Sequence, residues 1–272
     1  MNRPLPASVL SHTAAPLPLS LHAATDVGRL RLNNEDAVAV DPALGLAVLA
    51  DGMGGYQAGE VASQMTVQIL QATLRERLAA LGGSRIAVDL PQALAAATDA
   101  AVAAVYEAAN TRPELAGMGT TLVVALAFGT RLWVGHIGDS RAYRWRDGRL
   151  KLLTRDHSLL QEQLDAGVIS PVEARHAAHR NLVTRAIGVE LEVELELHAH
   201  DLAPRDLILL CSDGLTDMLA DDELALLLAG HDGAALPELA QACIDAANAA
   251  GGRDNIAVAL LRAHAPVAGR AW

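Results

Sequence analysis

Apolar residues follow two spacings along this chain, and each spacing predicts one kind of element. From residue 59 to the Gly82-Gly83 pair, and again over 91–110, they recur every three to four positions, which predicts two long helices. Similar patterns at 221–229 and 236–249 predict two further helices. Between these helical segments lie short apolar runs bounded by polar turns.

These short runs predict the strands of the fold. Most are joined by turns too short for a parallel crossover, so we expect antiparallel pairing. The helical segments come in consecutive pairs instead of alternating with single strands, which favours antiparallel sheets covered by helices over a doubly wound parallel sheet. The predicted fold class is therefore α+β. The predicted strands are 37–40, 44–50, 121–128, 132–137, 141–145, 191–197, 207–211 and 256–261.

Composition narrows the functional classes. The chain has 272 residues, of which 51% are hydrophobic, and this suffices for the core of one domain. Its formal charge of -11 opposes binding to nucleic acid or to an anionic membrane, so we expect neither as a partner. No apolar run approaches the roughly 18 residues that cross a bilayer. Two cysteines cannot form a disulfide framework, which favours the cytoplasm.

Acidic residues stand at the ends of five predicted strands. Any one of them is better explained as a turn residue, because Asp and Gly are common in turns. Five that converge would repel one another unless a cation neutralised them. Oxygen ligands without His or Cys favour Mg²⁺ or Mn²⁺ over Zn²⁺, and no EF-hand spacing points to Ca²⁺. Two such ions could bind a phosphoryl group and activate water. These acids are Asp36, Asp51, Asp139, Asp213 and Asp254.

Six motifs in order resemble those of the metal-dependent protein phosphatase family (PPM, type 2C), bacterial branch. The resemblance covers about residues 23–263 and leaves a proline-bearing N-terminal tail (1–22) and a C-terminal tail (264–272). The motifs are Arg31-Leu32-Asn33-Asn34-Glu35-Asp36, Ala50-Asp51-Gly52-Met53-Gly54-Gly55, Gly117-Met118-Gly119-Thr120-Thr121, Gly138-Asp139-Ser140-Arg141, Cys211-Ser212-Asp213-Gly214-Leu215 and Gly252-Arg253-Asp254-Asn255.

The resemblance implies a four-layer α-β-β-α sandwich of two antiparallel sheets flanked by helix pairs, with two metal ions at one end. By motif position, Asp51 bridges the ions, Asp213 and Asp254 hold one of them, and the Gly52 carbonyl binds the other. Glu35 and Asp36 act at the second ion, directly or through water. Asp139, paired with Asp213, matches the position of a third, weaker ion.

The resemblance also implies the chemistry. A metal-bridging water or hydroxide attacks the phosphorus of phosphoserine or phosphothreonine, with Asp51 and Arg31 as catalytic residues. Arg31 also binds the phosphate oxygens. We expect a monomeric enzyme that acts on phosphorylated proteins and works opposite a cognate Ser/Thr kinase.

Two features depart from the family pattern. Met53 stands where eukaryotic members place a proton-donating His, with Tyr56 a little further on, so the general acid is unassigned. Metal-bound water could supply the proton, and we interpret His157 as a structural or flap residue. The second departure lies in 156–188, a polar helical segment that corresponds to the family's flap, where Ala177-Ala178-His179 replaces a common His-Pro. Ser170 and Glu173 predict a capped helix start in this segment.

Two alternatives remain open. A phosphatase-like binding module would have lost Asp51, Asp213 or Asp254, and all three are present. A hydrolase of small phosphate esters could use the same metal centre, because the metals recognise phosphate rather than the attached group. Cysteine catalysis is disfavoured, because neither Cys211 nor Cys243 is followed six residues later by the Arg of a cysteine phosphatase.

Overall fold

The structure is a computed structural model that describes residues 17–54, 58–80, 90–170, 173 and 182–266. The helices are α1 (Ala58–Ala79), α2 (Leu90–Thr111), α3 (Leu159–Asp165), α4 (Asp221–Gly230) and α5 (Leu236–Ala249), with short helical turns at Pro113–Leu115 and Asp213–Thr216. The strands are β1 (Leu19–Asp26), β2 (Asp36–Asp41), β3 (Leu46–Met53), β4 (Gly119–Thr120), β5 (Leu122–Phe128), β6 (Arg131–Ile137), β7 (Arg141–Arg146), β8 (Arg149–Leu152), β9 (Glu196–Asp201), β10 (Leu207–Cys211) and β11 (Ile256–Ala263).

The strands form two sheets. Sheet A has the order β1-β11-β10-β7-β8, and sheet B has the order β2-β3-β5-β6-β9, with β4 paired to β3. Each named strand pair is antiparallel. The predicted α+β class and antiparallel pairing are therefore confirmed.

Three buried clusters separate four layers. The strand period of two explains how one strand serves two clusters: Val48 on β3 packs toward α1 and α2, whereas its neighbour Leu49 packs between the sheets. On the other side, β10 places Leu209 in the cluster under α4 and α5 and Ile208 between the sheets. The layer order is thus helices, sheet B, sheet A, helices, which confirms the predicted sandwich.

The predicted N-terminal tail (1–22) ends too late, because β1 already begins at Leu19. This strand pairs with β11 from Leu19 opposite Ala263 to Asp26 opposite Ile256. It was missed because it is an edge strand, mostly half-buried, whose partner lies more than 200 residues away in sequence. The hairpin strand β8 was also missed. It follows a turn at Asp147 and Gly148, which adopt φ of 50° and 74°.

The predicted strand at 191–197 is wrong in its position, since β9 runs over Glu196–Asp201. Apolar and polar residues do alternate over 191–197, but the apolar side chains cover the core and most of this backbone does not pair with a strand. Val193 and Leu195 cover the helix-side core of sheet B. Leu195 fits over Gly135, where an added Cβ would lie 3.0 Å from Leu195 Cδ1.

The long helices lie close to their predicted bounds, and the polar segment 156–188 contains the short helix α3. That helix, α3, is capped by Ser158, whose side chain accepts a hydrogen bond from the Gln161 amide. The predicted capping box is present, because Glu173 Oε2 accepts from the Ser170 amide at 2.8 Å. Ala177-Ala178-His179 lies outside the described residues. Within the described ranges, no helix combines the length and apolar composition needed to cross a bilayer.

Candidate metal and active site

The pairing of β2 with β3 brings two predicted ligands side by side. Asp36 lies opposite Asp51 in the register of these strands. The Asp51 backbone is held from the other side, since its amide donates to Thr121 Oγ1 at 3.0 Å and its carbonyl accepts from Thr120 Oγ1 at 2.8 Å. The motif around Thr120 and Thr121 therefore fixes the end of β3, where the Asp51 side chain emerges.

Ser212 connects this pair to sheet A. Its hydroxyl donates to Asp36 Oδ2 at 2.7 Å and accepts from the Ala257 amide at 2.9 Å. Asp213 follows immediately and opens the helical turn Asp213–Thr216 at the end of β10. The hydroxyl thus joins the two sheets at the point where their aspartates meet.

Asp139 lies in a tight turn between β6 and β7. Gly138 before it has φ +101°, and an added Cβ would lie 2.7 Å from Thr121 Cγ2. After it, Ser140 Oγ lies 2.8 Å from Thr121 Oγ1, the same hydroxyl that accepts from the Asp51 amide. The turn that carries Asp139 is therefore packed directly against the end of β3.

Asp254 and Glu35 complete the group through contacts of the 31–36 segment. Arg31 Nη2 donates to Asp254 Oδ2 at 2.6 Å. The Glu35 amide donates to Asn255 Oδ1 at 2.8 Å. Asn255 Nδ2 donates to the Asn33 carbonyl at 2.8 Å. Asn255 therefore anchors this segment beside the start of β11.

Gly52 lies where two backbone segments pass too closely for any side chain. A Cβ at this position would lie 2.2 Å from the Gly59 carbonyl oxygen and 2.5 Å from the Glu35 carbonyl oxygen. The Gly52 amide donates to the Glu35 carbonyl at 3.1 Å. The absence of a side chain thus lets the first turn of α1 approach the carboxylates.

The carboxyl groups repel one another. Burial, followed by the charges of Asp36, Asp213, Asp139 and Asp254, raises the pKa of Asp51 well above its ordinary value. Burial, followed by Asp139, Asp217, Asp254 and Asp36, does the same for the pKa of Asp213. Burial also raises the pKa of Asp36, and with the charge of Asp156 it raises the pKa of Asp139 to about 6. The site is therefore short of positive charge.

The donor set fits a hard divalent cation. Asp36 Oδ1 is buried and accepts no hydrogen bond from the described residues, which leaves a lone pair free for an ion. The side chains that converge here offer carboxylate oxygens, the ligands that Mg²⁺ and Mn²⁺ prefer. A cation would also remove the mutual repulsion, which no neutral ligand could do.

Comparisons with known proteins agree with this geometry. The family model described as protein phosphatase 2C matches residues 29–257. The chain belongs to the protein phosphatase 2C family. The recognition made from the six motifs is thereby confirmed.

Relatives of this phosphatase 2C chain come from several bacteria. The serine/threonine phosphatase stp of Listeria welshimeri is 37% identical over 252 residues, which cover 90% of this chain and 96% of that protein. The serine/threonine protein phosphatase PstP of Mycobacterium tuberculosis is 40% identical over 245 residues, which cover 89% of this chain and 44% of that protein.

Solved structures of the family superpose well on this fold. A crystal structure of the Mycobacterium tuberculosis phosphatase PstP/Ppp has a TM-score of 0.79 at 38% identity and covers 91% of this chain and 99% of its own. A structure of the PstP catalytic domain in complex with two manganese ions has a TM-score of 0.78 at 38% identity and covers the same shares.

The phosphatase 2C site also uses residues to which the sequence assigned no role. Ser212, Asn255 and Thr121 hold the acids in place, and all three lie inside the quoted motifs. The available signal was that Ser212 and Asn255 are each next to an Asp in the sequence, whereas Thr121 had only its place in a motif. Asp217 raises the pKa of both Asp139 and Asp213. Its signal was the four-residue spacing from Asp213, which places the two on one helix face. Tyr56 lies outside the described residues.

Proposed function

We propose that this chain is a metal-dependent protein phosphatase that hydrolyses phosphoserine and phosphothreonine. The observation that carries the proposal is the convergence of five aspartates from distant strands into one partly buried, mutually repelling group. Membership of the phosphatase 2C family and the names of the relatives support protein phosphatase activity. The carboxylate oxygens support a hard divalent ion as the cofactor.

Two Mn²⁺ or Mg²⁺ ions would bind to this group. We assign Asp51 to both ions, Asp213 and Asp254 to one, and the Gly52 carbonyl with Glu35 and Asp36 to the other. Asp139, together with Asp213, would hold a third, weaker ion. When bound, such ions supply Lewis-acid activation of the phosphate ester and of water.

The chain's own residues then hold and orient the reactants. The hydrogen bonds from Thr120 and Thr121 fix the Asp51 backbone and so set the point from which its carboxylate projects among its neighbours. The Arg31 guanidinium pairs with Asp254, and its side chain is 51% exposed, so it can also reach the oxygens of an incoming phosphate. Met53 has no proton to donate, so the leaving alcohol must receive its proton from another group.

The surface beside Arg31 supports a protein substrate. Leu30 and Leu32 flank this arginine and are 70% and 97% exposed. Exposed apolar residues at the rim can pack against a peptide, whereas a small phosphate ester would leave them in water. We extend the proposal to a monomeric enzyme that opposes a cognate Ser/Thr kinase. The two free, buried cysteines, Cys211 and Cys243, support a reducing cytoplasm as its location.

Hydrolysis of an aryl phosphate by the purified protein tests the metal-dependent reaction. We expect turnover only with added Mn²⁺ or Mg²⁺, and a loss on the order of 10²-fold or more for Asp51→Asn because the group shared by the ions is lost. Asp201→Asn is the matched control, since this carboxylate is 81% exposed at the end of β9, away from the predicted ligands. Full activity in excess EDTA would rule the mechanism out.

Phosphopeptides test the substrate class. We expect phosphoserine and phosphothreonine peptides to be hydrolysed faster than a phosphotyrosine peptide of the same sequence. Equal rates on all three, or faster turnover of small esters, would favour the alternative of a small phosphate ester hydrolase. Metal binding without hydrolysis of any ester would favour the binding module.

A further inference from the structure

A pair of buried histidines lies next to the Asp139 turn. The rings of His136 and His157 stack with their centroids 4.5 Å apart and their planes 15° from parallel. Glu196 on β9 lies opposite His136 in the β6–β9 register. Nitrogen and oxygen atoms of these three residues lie within 4.8 Å of one another, which is close enough for a three-ligand metal site.

The hydrogen bonds of His157 argue against a metal at this cluster. The Gly138 amide donates to His157 Nδ1 at 3.1 Å, and because an amide can only donate, Nδ1 carries no proton. Burial lowers the pKa of His157, so the ring is neutral and its proton lies on Nε2, 3.1 Å from Glu196 Oε2. A cation bound to Nε2 would have to displace this proton. It would also lie next to the positively charged guanidinium of Arg185, whose Nη1 is 3.4 Å from the same nitrogen.

Glu196 is an ionised acceptor for that proton. Burial opposes its ionisation, but hydrogen bonds from His198 and His157 outweigh burial and lower the pKa of Glu196 to about 2. The carboxylate thus fixes the tautomer of His157 with the lone pair of Nδ1 directed at Gly138. The cluster is a hydrogen-bonded chain that ends on the backbone next to Asp139.

His157 is hydrogen-bonded to both backbone groups of Gly138. Besides the side-chain bond, the His157 amide donates to the Gly138 carbonyl at 2.9 Å. The opposite side of the turn is held by Thr121, through Ser140 and through the close approach to Gly138. The position of Asp139 is therefore set by His157 on one side and by Thr121, which also bonds Asp51, on the other.

The same residue anchors the C-terminal part of the flap segment, residues 182–187. The His157 carbonyl accepts from the Thr184 amide at 2.8 Å, and Ser158 forms a bridge with Val183. At the other end, Ile187 and Thr120 exchange two backbone hydrogen bonds of 2.9 Å each. The segment is thus tied at one end to the residue that holds Asp139 and at the other to one that holds Asp51.

We propose that His157 is a positioning residue whose imidazole holds the Gly138–Asp139 turn, beside its backbone link to the flap segment 182–187, and so sets how tightly Asp139 holds a metal ion. This inference rests on the proposed function for its catalytic consequence. The hydrogen-bond link itself can be measured independently of catalysis. Partners that orient a metal ligand from behind commonly affect metal affinity or activity by about 10- to 100-fold.

Two amide variants test the hydrogen bonds of the two imidazole nitrogens separately. In His157→Asn, the side-chain oxygen can take the place of Nδ1 and accept from Gly138, whereas contact with Glu196 is lost. In His157→Gln, the longer amide reaches the place of Nε2 and loses Gly138. We expect His157→Gln to raise the Mn²⁺ concentration for half-maximal activity about 10-fold or more, and His157→Asn to stay within about 3-fold of wild type.

Three measurements test this order. Calorimetric titration with Mn²⁺ measures affinity without turnover, hydrogen exchange of the peptide covering 136–140 reports on the Gly138 amide, and phosphopeptide kinetics separate kcat from KM. Gly138 should exchange faster in His157→Gln than in His157→Asn. His198→Asn is the matched control, because it also removes a hydrogen bond to Glu196 but has no contact with Gly138, and it should behave as wild type.

The results distinguish the two proposals. If both His157 variants bind Mn²⁺ as wild type does, or if both lose affinity and thermal stability equally, His157 has no specific positioning role and the inference is wrong. A wild-type protein that hydrolyses nothing with Mn²⁺ would contradict the proposed function. The exchange difference between the two variants would still decide whether the His157 link exists.

Discussion

Replacing Asp139 with Asn should make the metal-free protein more stable at pH 8, although it removes a predicted metal ligand. The Asp139 carboxyl is partly buried, and it lies near Asp156, Asp217 and Asp213, whose charges oppose its ionisation. Asn keeps the shape and still accepts a hydrogen bond from the backbone, but it carries no charge. The substitution therefore removes a repulsion that only a bound cation would otherwise remove.

The size of the gain follows from the titration of this group. Burial, followed by the charge of Asp156, raises the pKa of Asp139 from 3.8 to about 6. At about 1.4 kcal/mol per pH unit, the ionised carboxylate costs the folded state up to about 3 kcal/mol. Partial solvent access reduces this, so we expect a gain of about 1–3 kcal/mol, or roughly 2–10 °C in Tm for a protein of this size.

The stability difference between wild type and Asp139→Asn should depend on pH in one direction. Because the folded-state pKa of Asp139 lies above the unfolded value, the folded state keeps this proton to higher pH, and wild type loses stability as pH rises from about 4 to 6. The advantage of Asp139→Asn should be absent near pH 4, grow through this window and stay constant above it. Added Mn²⁺ should reverse the order, since wild type then gains a ligand that the variant lacks.

Urea unfolding in EDTA at intervals from pH 4 to pH 8 measures this difference, with Asp201→Asn as the exposed control. At each pH both proteins are measured in the same buffer, so that the titration of the carboxylates they share cancels in the difference between their free energies of unfolding. A variant that is less stable than wild type at pH 8, or a difference that does not change with pH, would show that the acids do not repel as described.

Two further substitutions test the packing and the rim of the site. Gly52→Ala should cost at least about 3 kcal/mol in the free energy of unfolding, because its Cβ would lie 2.2 Å from the Gly59 carbonyl oxygen. Gly230→Ala is the control, because a Cβ added at this position at the end of α4 would meet no atom within 4 Å. It should leave the free energy of unfolding unchanged or raise it by up to about 1 kcal/mol. If denaturant unfolding showed the same loss of stability for both variants, the close approach at Gly52 would be contradicted. Arg31→Ala should raise KM for an aryl phosphate about 10-fold because a charged hydrogen bond to phosphate is lost, and unchanged steady-state kinetics would remove Arg31 from the site.

The sequence predicted the elements whose apolar pattern is strong. The bounds of α1, α2, α4 and α5 follow from helical spacing, because each helix buries one face against a sheet. The edge strand β1 was missed because pairing with β11, not its own pattern, makes it a strand. At 191–197 the alternation marked a covering segment, since periodicity reports which residues are buried but not which backbone groups pair.

The predicted acids lie together at the site, but their supporting bonds could not be read from the sequence. Periodicity placed Asp36, Asp51 and Asp213 at strand ends, and only the ordered motif set suggested that those ends meet. The Ser212 bond to Asp36 depends on which strands of the two sheets face each other, and local patterns do not determine this. The link from His157 to Gly138 likewise depends on a tautomer fixed by Glu196 on a distant strand.

The supporting bonds explain why the acids remain close even though their charges oppose folding. The Asp36 carboxylate is held by Ser212, so it cannot turn away to relieve the repulsion without breaking a buried hydrogen bond, and Thr121 fixes the backbone that carries Asp51 beside it. The three cores between the layers supply the stability that offsets this strain. A bound cation neutralises this repulsion, and the energy that is relieved adds to the free energy of metal binding. Metal affinity and the stability of this fold must therefore change together with pH.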